Sequence, residues 1–121
     1  MGKILITGSA GFIGMHLCKN LLDDGYIVYG IDDLNKYYDP VLKRARLSIL
    51  SNYSNFTFNK VDICNFKDIE GAFKVFKPEK VVNLAAQAGV RNSLENPHEY
   101  IRANIVGFTN IIENCKNYGV R

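Results

Sequence analysis

The sequence predicts an α/β fold, a doubly wound parallel sheet with helices on both faces that is truncated after about four strands. Three observations point there. Short β-branched or aromatic runs alternate with stretches of helical periodicity along the whole chain. Each alternation is most simply read as a right-handed β-α-β crossover, and such crossovers build a parallel sheet. The first apolar run also passes directly into TGSAGFIG at 7–14, three glycines separated by two residues each.

The elements follow in order. KILIT (3–7), YIVYGID (26–32), FTFNKV (56–61) and KVVNLA (80–85) have the composition and length of strands. Between the first two, Ile13, Leu17 and Leu21 recur every fourth residue, and Gly25 stands where a helix end favours a left-handed residue. Asp39 before Pro40 is a cap followed by proline at the first helical position, and opens a helix to about Leu50. Leu42, Ala45 and Ile49 are expected on its inner side, with Lys43, Arg44 and Arg46 on a solvated face. Asn65 and Asp68 resemble a capping arrangement, after which Ile69, Ala72, Phe73 and Phe76 share one face until Pro78 stops the helix. A last helix runs from Pro97 to about Asn117, with Ile101, Ile105, Phe108, Ile112 and Cys115 as its apolar stripe and Asn104 on that same face.

Composition narrows the function classes. A chain of 121 residues, 47% hydrophobic and 22% charged, is the size of one ordinary globular domain. Fifteen Lys and Arg against twelve Asp and Glu, spread without a basic block, argue against nucleic acid. Cys18, Cys64 and Cys115 are odd in number, far apart and in no CxxC pairing, so reduced, buried thiols are expected rather than a disulfide framework. His16 and His98 stand apart from the cysteines and from each other, which leaves no metal cluster and no Cys-His pair. Neither a signal-peptide core nor a run of about eighteen apolar residues is present, so a soluble, cytoplasmic chain without a membrane partner is expected.

The glycines have a physical reading. Gly8 permits a backbone turn at the end of the first strand that a side chain would forbid. Gly11 leaves the helix N-terminus bare, so its unpaired N–H groups and positive dipole end can meet a pyrophosphate. Gly14 lets helix and strand pack closely, and the whole is the loop of a Rossmann-type dinucleotide fold. Asp32 stands eighteen residues past Gly14, at the end of the second strand. There it can accept hydrogen bonds from an adenosine ribose. A 2′-phosphate would meet a like charge, worth roughly 4 kcal/mol for each pair of unit charges at about 4 Å and an effective dielectric near 20. NAD is therefore expected over NADP, with Lys36 softening the preference. A plain polar turn of Asp32, Asp33 and Asn35 is the alternative. Asp62 either shapes the turn into the next helix or takes an adenine amino group, and spacing alone does not decide.

With TGSAGFIG, GIDDLN, VDI and NLAAQAGVRNSLENPHEYIRANIVG in view, the chain resembles the extended short-chain dehydrogenase/reductases, most closely the nucleotide-sugar epimerases acting on UDP-glucuronate. The resemblance spans the whole chain, and its last stretch is far more specific than the glycine loop. It implies that Gly8, Gly11, Phe12, Ile13 and Gly14 line the pyrophosphate of NAD and that Asp32, Asp33, Asn35 and Lys36 line the adenosine ribose. Asp62 and Ile63 would hold the adenine, and Leu84, Ala85, Ala86 and Ala88 would pass under the nicotinamide half. Gln87 and Arg91 would face a UDP-uronate substrate, with Arg91 a partner for its carboxylate or phosphate unless it is an ordinary surface arginine. Asn104 would support the active site through main-chain hydrogen bonds, an internally satisfied core amide being the alternative.

The resemblance also implies a mechanism in which a tyrosine takes the proton of the sugar 4-hydroxyl while NAD takes the C4 hydride. The 4-keto sugar then turns over. Here no catalytic residue of that kind is found: Tyr100 is followed four residues on by Asn104, Tyr53 by Thr57 and Tyr38 by Leu42, never by lysine. The chain is therefore expected to be the first half of a longer enzyme, residues 1–121 being its NAD-binding domain. A sugar 4,6-dehydratase or decarboxylase would share this half, and a non-catalytic NAD-sensing module is the alternative of another class. A homodimer is expected, since a fourth strand left at the sheet edge invites pairing.

Overall fold

The computed structural model describes residues 2–34, 40–86 and 94–120. Four strands and the predicted helices follow in order: β1 (Lys3–Thr7), α1 (Phe12–Asp23), β2 (Ile27–Asp32), α2 (Pro40–Leu50), β3 (Phe56–Lys60), α3 (Phe66–Phe76) and β4 (Lys80–Asn83). The last helical region has three parts, α4 (Pro97–Ile101), a π-helical stretch (Arg102–Gly107) and α5 (Phe108–Asn117). The sheet is parallel throughout, in the order β3-β2-β1-β4. Thr7 at the end of β1 stands opposite both Ile31 and Asn83. The chain thus winds outward from β1 to β3 and then crosses back to lay β4 on the other side of β1. That reversal opens a crevice at the carboxyl ends of the strands, the usual ligand position in such sheets.

The alternation of β1 explains the two-sided core. Ile4 and Ile6, with Val28, face Met15, Cys18 and Leu22 of α1 and Leu50 of α2. Leu5, with Ile31, faces Ile69, Ala72 and Phe73 of α3 and Ile111 of α5, joined by Val61 and Ile63. A central parallel strand is covered on both faces and so reads as a continuous apolar run. Each of the Ile, Leu, Val, Met and Phe side chains among them contributes about 1.5 to 3 kcal/mol by leaving water. Helix α3 matches its expected form: Asn65 Oδ1 accepts the Asp68 N–H at 3.2 Å, and the helix ends on Lys77 in the left-handed region, just before Pro78.

Three helix faces differ from the sequence expectation. In α1 the buried residues are Gly14, Met15, Cys18 and Leu22, whereas Ile13 is 67% exposed and Leu17 and Leu21 are half-buried. In α2, Leu42, Ala45 and Ile49 are exposed, and the inward face is Lys43, Arg46, Leu47 and Leu50 at i, i+3, i+4, i+7. Lys43 is therefore buried rather than solvated, and Arg46 is half-buried; Arg44 is exposed as expected. In the last helical region Ile101, Ile105, Phe108 and Ile112 are exposed, and Gly107, Ile111 and Asn114 are buried. The cause is distance: a Cβ on Gly107 would fall 2.4 Å from Ile63 Cδ1, so only the small-residue side can come this close to the sheet. The Asp39 cap of α2 lies outside the described residues.

Candidate functional site

At the end of β1 the chain turns at Gly8, whose φ of +74° favours glycine and where a Cβ would meet the Ala85 nitrogen at 2.9 Å, and its N–H donates to the Ile31 carbonyl of β2 at 2.8 Å. The loop then enters α1 at Gly11, which provides no side-chain cap, and no acidic residue occupies the first turn. The first-turn N–H groups have no intrahelical acceptor, and the helix dipole places positive potential beside them. This is an anion cradle. A Cβ on Gly14 would sit 2.0 Å from the Gly8 carbonyl oxygen, so the glycine at this position is what closes helix onto loop.

Asp32 ends β2 and is buried to 6% exposure. Its Oδ2 accepts the Ala10 N–H at 3.1 Å and its Oδ1 the Leu34 N–H at 2.8 Å. Lys43 Nζ, itself buried, lies 3.7 Å from Oδ1. The carboxylate thus fastens the glycine loop to the end of β2, and α2 supplies its counter-charge. Arg46, one turn further along α2, donates to the Ala10 carbonyl at 3.2 Å and stands over the Phe12 ring at 5.9 Å. Two cations of α2 thereby join the helix dipole beside the anion cradle.

Of the two open roles of Asp62, the geometry shows the turn. Its Oδ1 accepts the Cys64 N–H at 2.9 Å, which shapes the turn into α3, while Oδ2 takes Arg102 Nη2 at 2.8 Å on the cleft wall. Burial works against its ionisation, but these two donors outweigh it and hold its pKa below the ordinary carboxylate value. On the far side, Thr7 Oγ1 donates to Asn83 Oδ1 and accepts the N–H groups of Leu84 and Ala85, each at 3.0 Å. This fork fixes the segment after β4 against the end of β1.

One cleft of about 490 Å³ gathers Gly8, Gly11, Phe12, Ile13, Gly14, Asp32, Asp33, Asp62, Ile63, Leu84, Ala85 and Ala86 from the sequence expectation. Ligand pockets commonly have about this size. Asn35, Lys36, Gln87, Ala88 and Arg91 lie outside the described residues. Asn104 is half-buried with a polar partner but is not among the residues lining the cleft. The sequence reading missed Leu42, Lys43, Arg46, Val61, Glu99, Arg102 and Ala103, which also line it. The i, i+3 spacing of Lys43 and Arg46 was the one available signal. Among the described residues no group of three His, Cys, Asp or Glu side chains could hold a metal, and no helix is long and apolar enough to cross a membrane.

A family model described as GDP-mannose 4,6 dehydratase matches residues 5–121. The Protein CapI of Staphylococcus aureus is 53% identical over 119 residues, 98% of this chain and 35% of that protein. A UDP-glucuronate 4-epimerase of Thermodesulfobacterium geofontis is 46% identical over 121 residues, 100% of this chain and 38% of that protein. The crystal structure of a UDP-glucuronic acid 4-epimerase from Bacillus cereus with UDP-glucuronic acid and NAD superposes with a TM-score of 0.86 at 38% identity, covering 94% of this chain and 36% of that one. A UDP-glucose 4-epimerase of Thermus thermophilus with NAD gives 0.84 at 34% identity, over 98% of this chain and 35% of the other. The chain spans about a third of the length of the curated relatives it matches.

Proposed function

The chain belongs to the epimerase and dehydratase family of the extended short-chain dehydrogenase/reductases, the family described as GDP-mannose 4,6 dehydratase, and on that footing we propose that it is the NAD-binding part of a nucleotide-sugar 4-epimerase acting on UDP-glucuronate. Relatives named for that activity and neighbours solved with NAD and UDP-glucuronic acid support the reading. The observation that carries it is the meeting, in one cleft, of the uncapped N-terminus of α1 with Asp32 at the end of β2.

The residues fit a dinucleotide. The bare loop at Gly11 admits a pyrophosphate to the first-turn N–H groups, and Arg46 adds a cation beside it. Asp32, fixed by Ala10, Leu34 and Lys43, faces the adenosine ribose and disfavours a 2′-phosphate, while Asp62 and Ile63 border the base. Leu84, Ala85 and Ala86 form the floor that leads to the nicotinamide end. NAD, when bound, supplies a hydride acceptor that later returns the hydride. The remaining assignments in this reading are Asn35 and Lys36 near the ribose, Ala88 under the nicotinamide, Gln87 and Arg91 toward the sugar, and Asn104 in support. Residues 1–121 are one cofactor domain, and the tyrosine and lysine of the chemical step and the substrate domain lie outside it.

The experiment is calorimetry with NAD and NADP, repeated on Asp32→Ala. Micromolar or weaker binding that favours NAD, with the preference lost in the variant, is expected; equal affinities in the unmutated chain would remove Asp32 from this role. The description of the family model favours a second reading, a sugar 4,6-dehydratase sharing this half. A cytoplasmic homodimer completes the proposal. It is supported by the exposed row of Ile101, Ile105, Phe108 and Ile112.

A further inference from the structure

At the base end of the cleft the group that would read a purine is a carboxylate paired with a guanidinium. Arg102 Nη2 donates to Asp62 Oδ2 at 2.8 Å, and Nη1 to Glu99 Oε1 at 3.3 Å. Asp62, Glu99 and Arg102 all line the cleft, beside Ile63 and Ala103. A lone carboxylate offers acceptors only, so it favours the 6-amino group of adenine and repels a 6-carbonyl. A guanidinium changes that balance, because it carries five N–H donors in a planar fork and two contacts do not exhaust them.

Resting on the dinucleotide reading, we propose that Arg102 makes the base end two-sided, so that the site takes 6-oxopurine dinucleotides alongside adenine ones. Asp62 accepts from a 6-amino group, and a guanidinium N–H donates to a 6-oxo group. The location suits the task. Arg102 opens the π-helical stretch, a form found mostly as short interruptions at functional sites. Its backbone is held by Cys64, whose Sγ donates to the Arg102 carbonyl at 3.2 Å. Its side chain is 48% exposed and can turn toward either base edge without disturbing the core.

The test is calorimetric affinity for NAD and for its hypoxanthine analogue, in the unmutated chain and in Arg102→Ala. The ratio favouring NAD is expected to rise by at least about fivefold in the variant, because a 6-carbonyl then faces an uncompensated carboxylate. A smaller rise overturns the proposal, including the case in which both dinucleotides weaken together, as a purely structural role would produce. Arg102→Lys keeps a cation and is expected to fall between the two. Failure of both dinucleotides to bind either protein would overturn the dinucleotide reading itself, and this inference with it.

Discussion

Gly14 and Gly8 are in contact through a distance no other residue at position 14 could keep: a Cβ there would lie 2.0 Å from the Gly8 carbonyl oxygen and 2.8 Å from its carbonyl carbon. Backbone, not a yielding side chain, is what it would meet. Gly14→Ala must therefore push α1 away from the loop that opens the cleft. Overpacking of this kind costs about 1 to 3 kcal/mol. Urea unfolding is expected to show a loss in that range, and calorimetry a larger loss of NAD affinity than the fall in stability alone would produce.

The Asp32–Lys43 pair is buried on both sides. Removing one partner strands the other, at a cost of about 3 kcal/mol. Lys43→Met is expected to lower stability by about that amount, and the double variant Asp32→Asn, Lys43→Met to recover part of it. A double-mutant cycle by chemical denaturation measures the coupling, and purely additive losses would show that the pair does not act as one.

Tyr53 donates its hydroxyl to Asp23 Oδ1 at 2.6 Å, tying the end of α1 to the segment before β3. The bond depresses the Asp23 pKa below the ordinary carboxylate value and raises that of Tyr53 above the ordinary phenol value. Folded-state stabilisation by a depressed carboxylate is present above its unfolded pKa and lost as pH falls through the folded one; for a raised phenol it is present below the unfolded pKa and lost as pH rises through the folded one. Tyr53→Phe should flatten both the acid and the alkaline limb of the melting-temperature profile. Asp62, also depressed, adds to the acid limb, so Asp62→Asn should flatten that side, and any change it makes on the alkaline side runs through Cys64, whose thiol the Asp62 carboxylate raises.

Thiol reactivity should rank by environment. Burial pushes Cys18 up to about 12, whereas Cys64 reaches about 11 through burial and the neighbouring Asp62 carboxylate. Cys115 is raised by burial alone. Thiolate is the reactive form. Iodoacetamide at mildly alkaline pH followed by mass spectrometry is expected to leave Cys18 unlabelled until the chain unfolds, and Asp62→Asn to speed the labelling of Cys64.

Incubated with NAD and UDP-glucuronate, the chain should yield no UDP-galacturonate. A positioned acid–base group contributes about 10² to 10⁴ in rate, and none of the tyrosines discussed above has a lysine four residues on. Product scaling with protein, and abolished by Gly11→Asp, would locate the chemical step within these residues.

Local signals determined much of this molecule before any tertiary contact was considered. Short β-branched or aromatic runs located the four strands, Asn65 and Pro78 bounded α3, and the glycine spacing located the loop, because strand propensity, capping and backbone freedom act over a few residues. Asp32 and Asp62 were legible as strand-end carboxylates for the same reason. The buried side of α1, α2 and the last helix was not legible, because each carries two plausible stripes and only proximity to the sheet selects one. Gly107 against Ile63 selects the small-residue side of the last helix, and Lys43 turns inward because the Asp32 charge waits there. The pairing of Asp62 with Arg102, forty residues apart, likewise exists only once the crossover after β4 brings the last helical region beside the end of β3. Periodicity along one chain segment carries no information about which charge will stand opposite it, and tertiary structure supplies that.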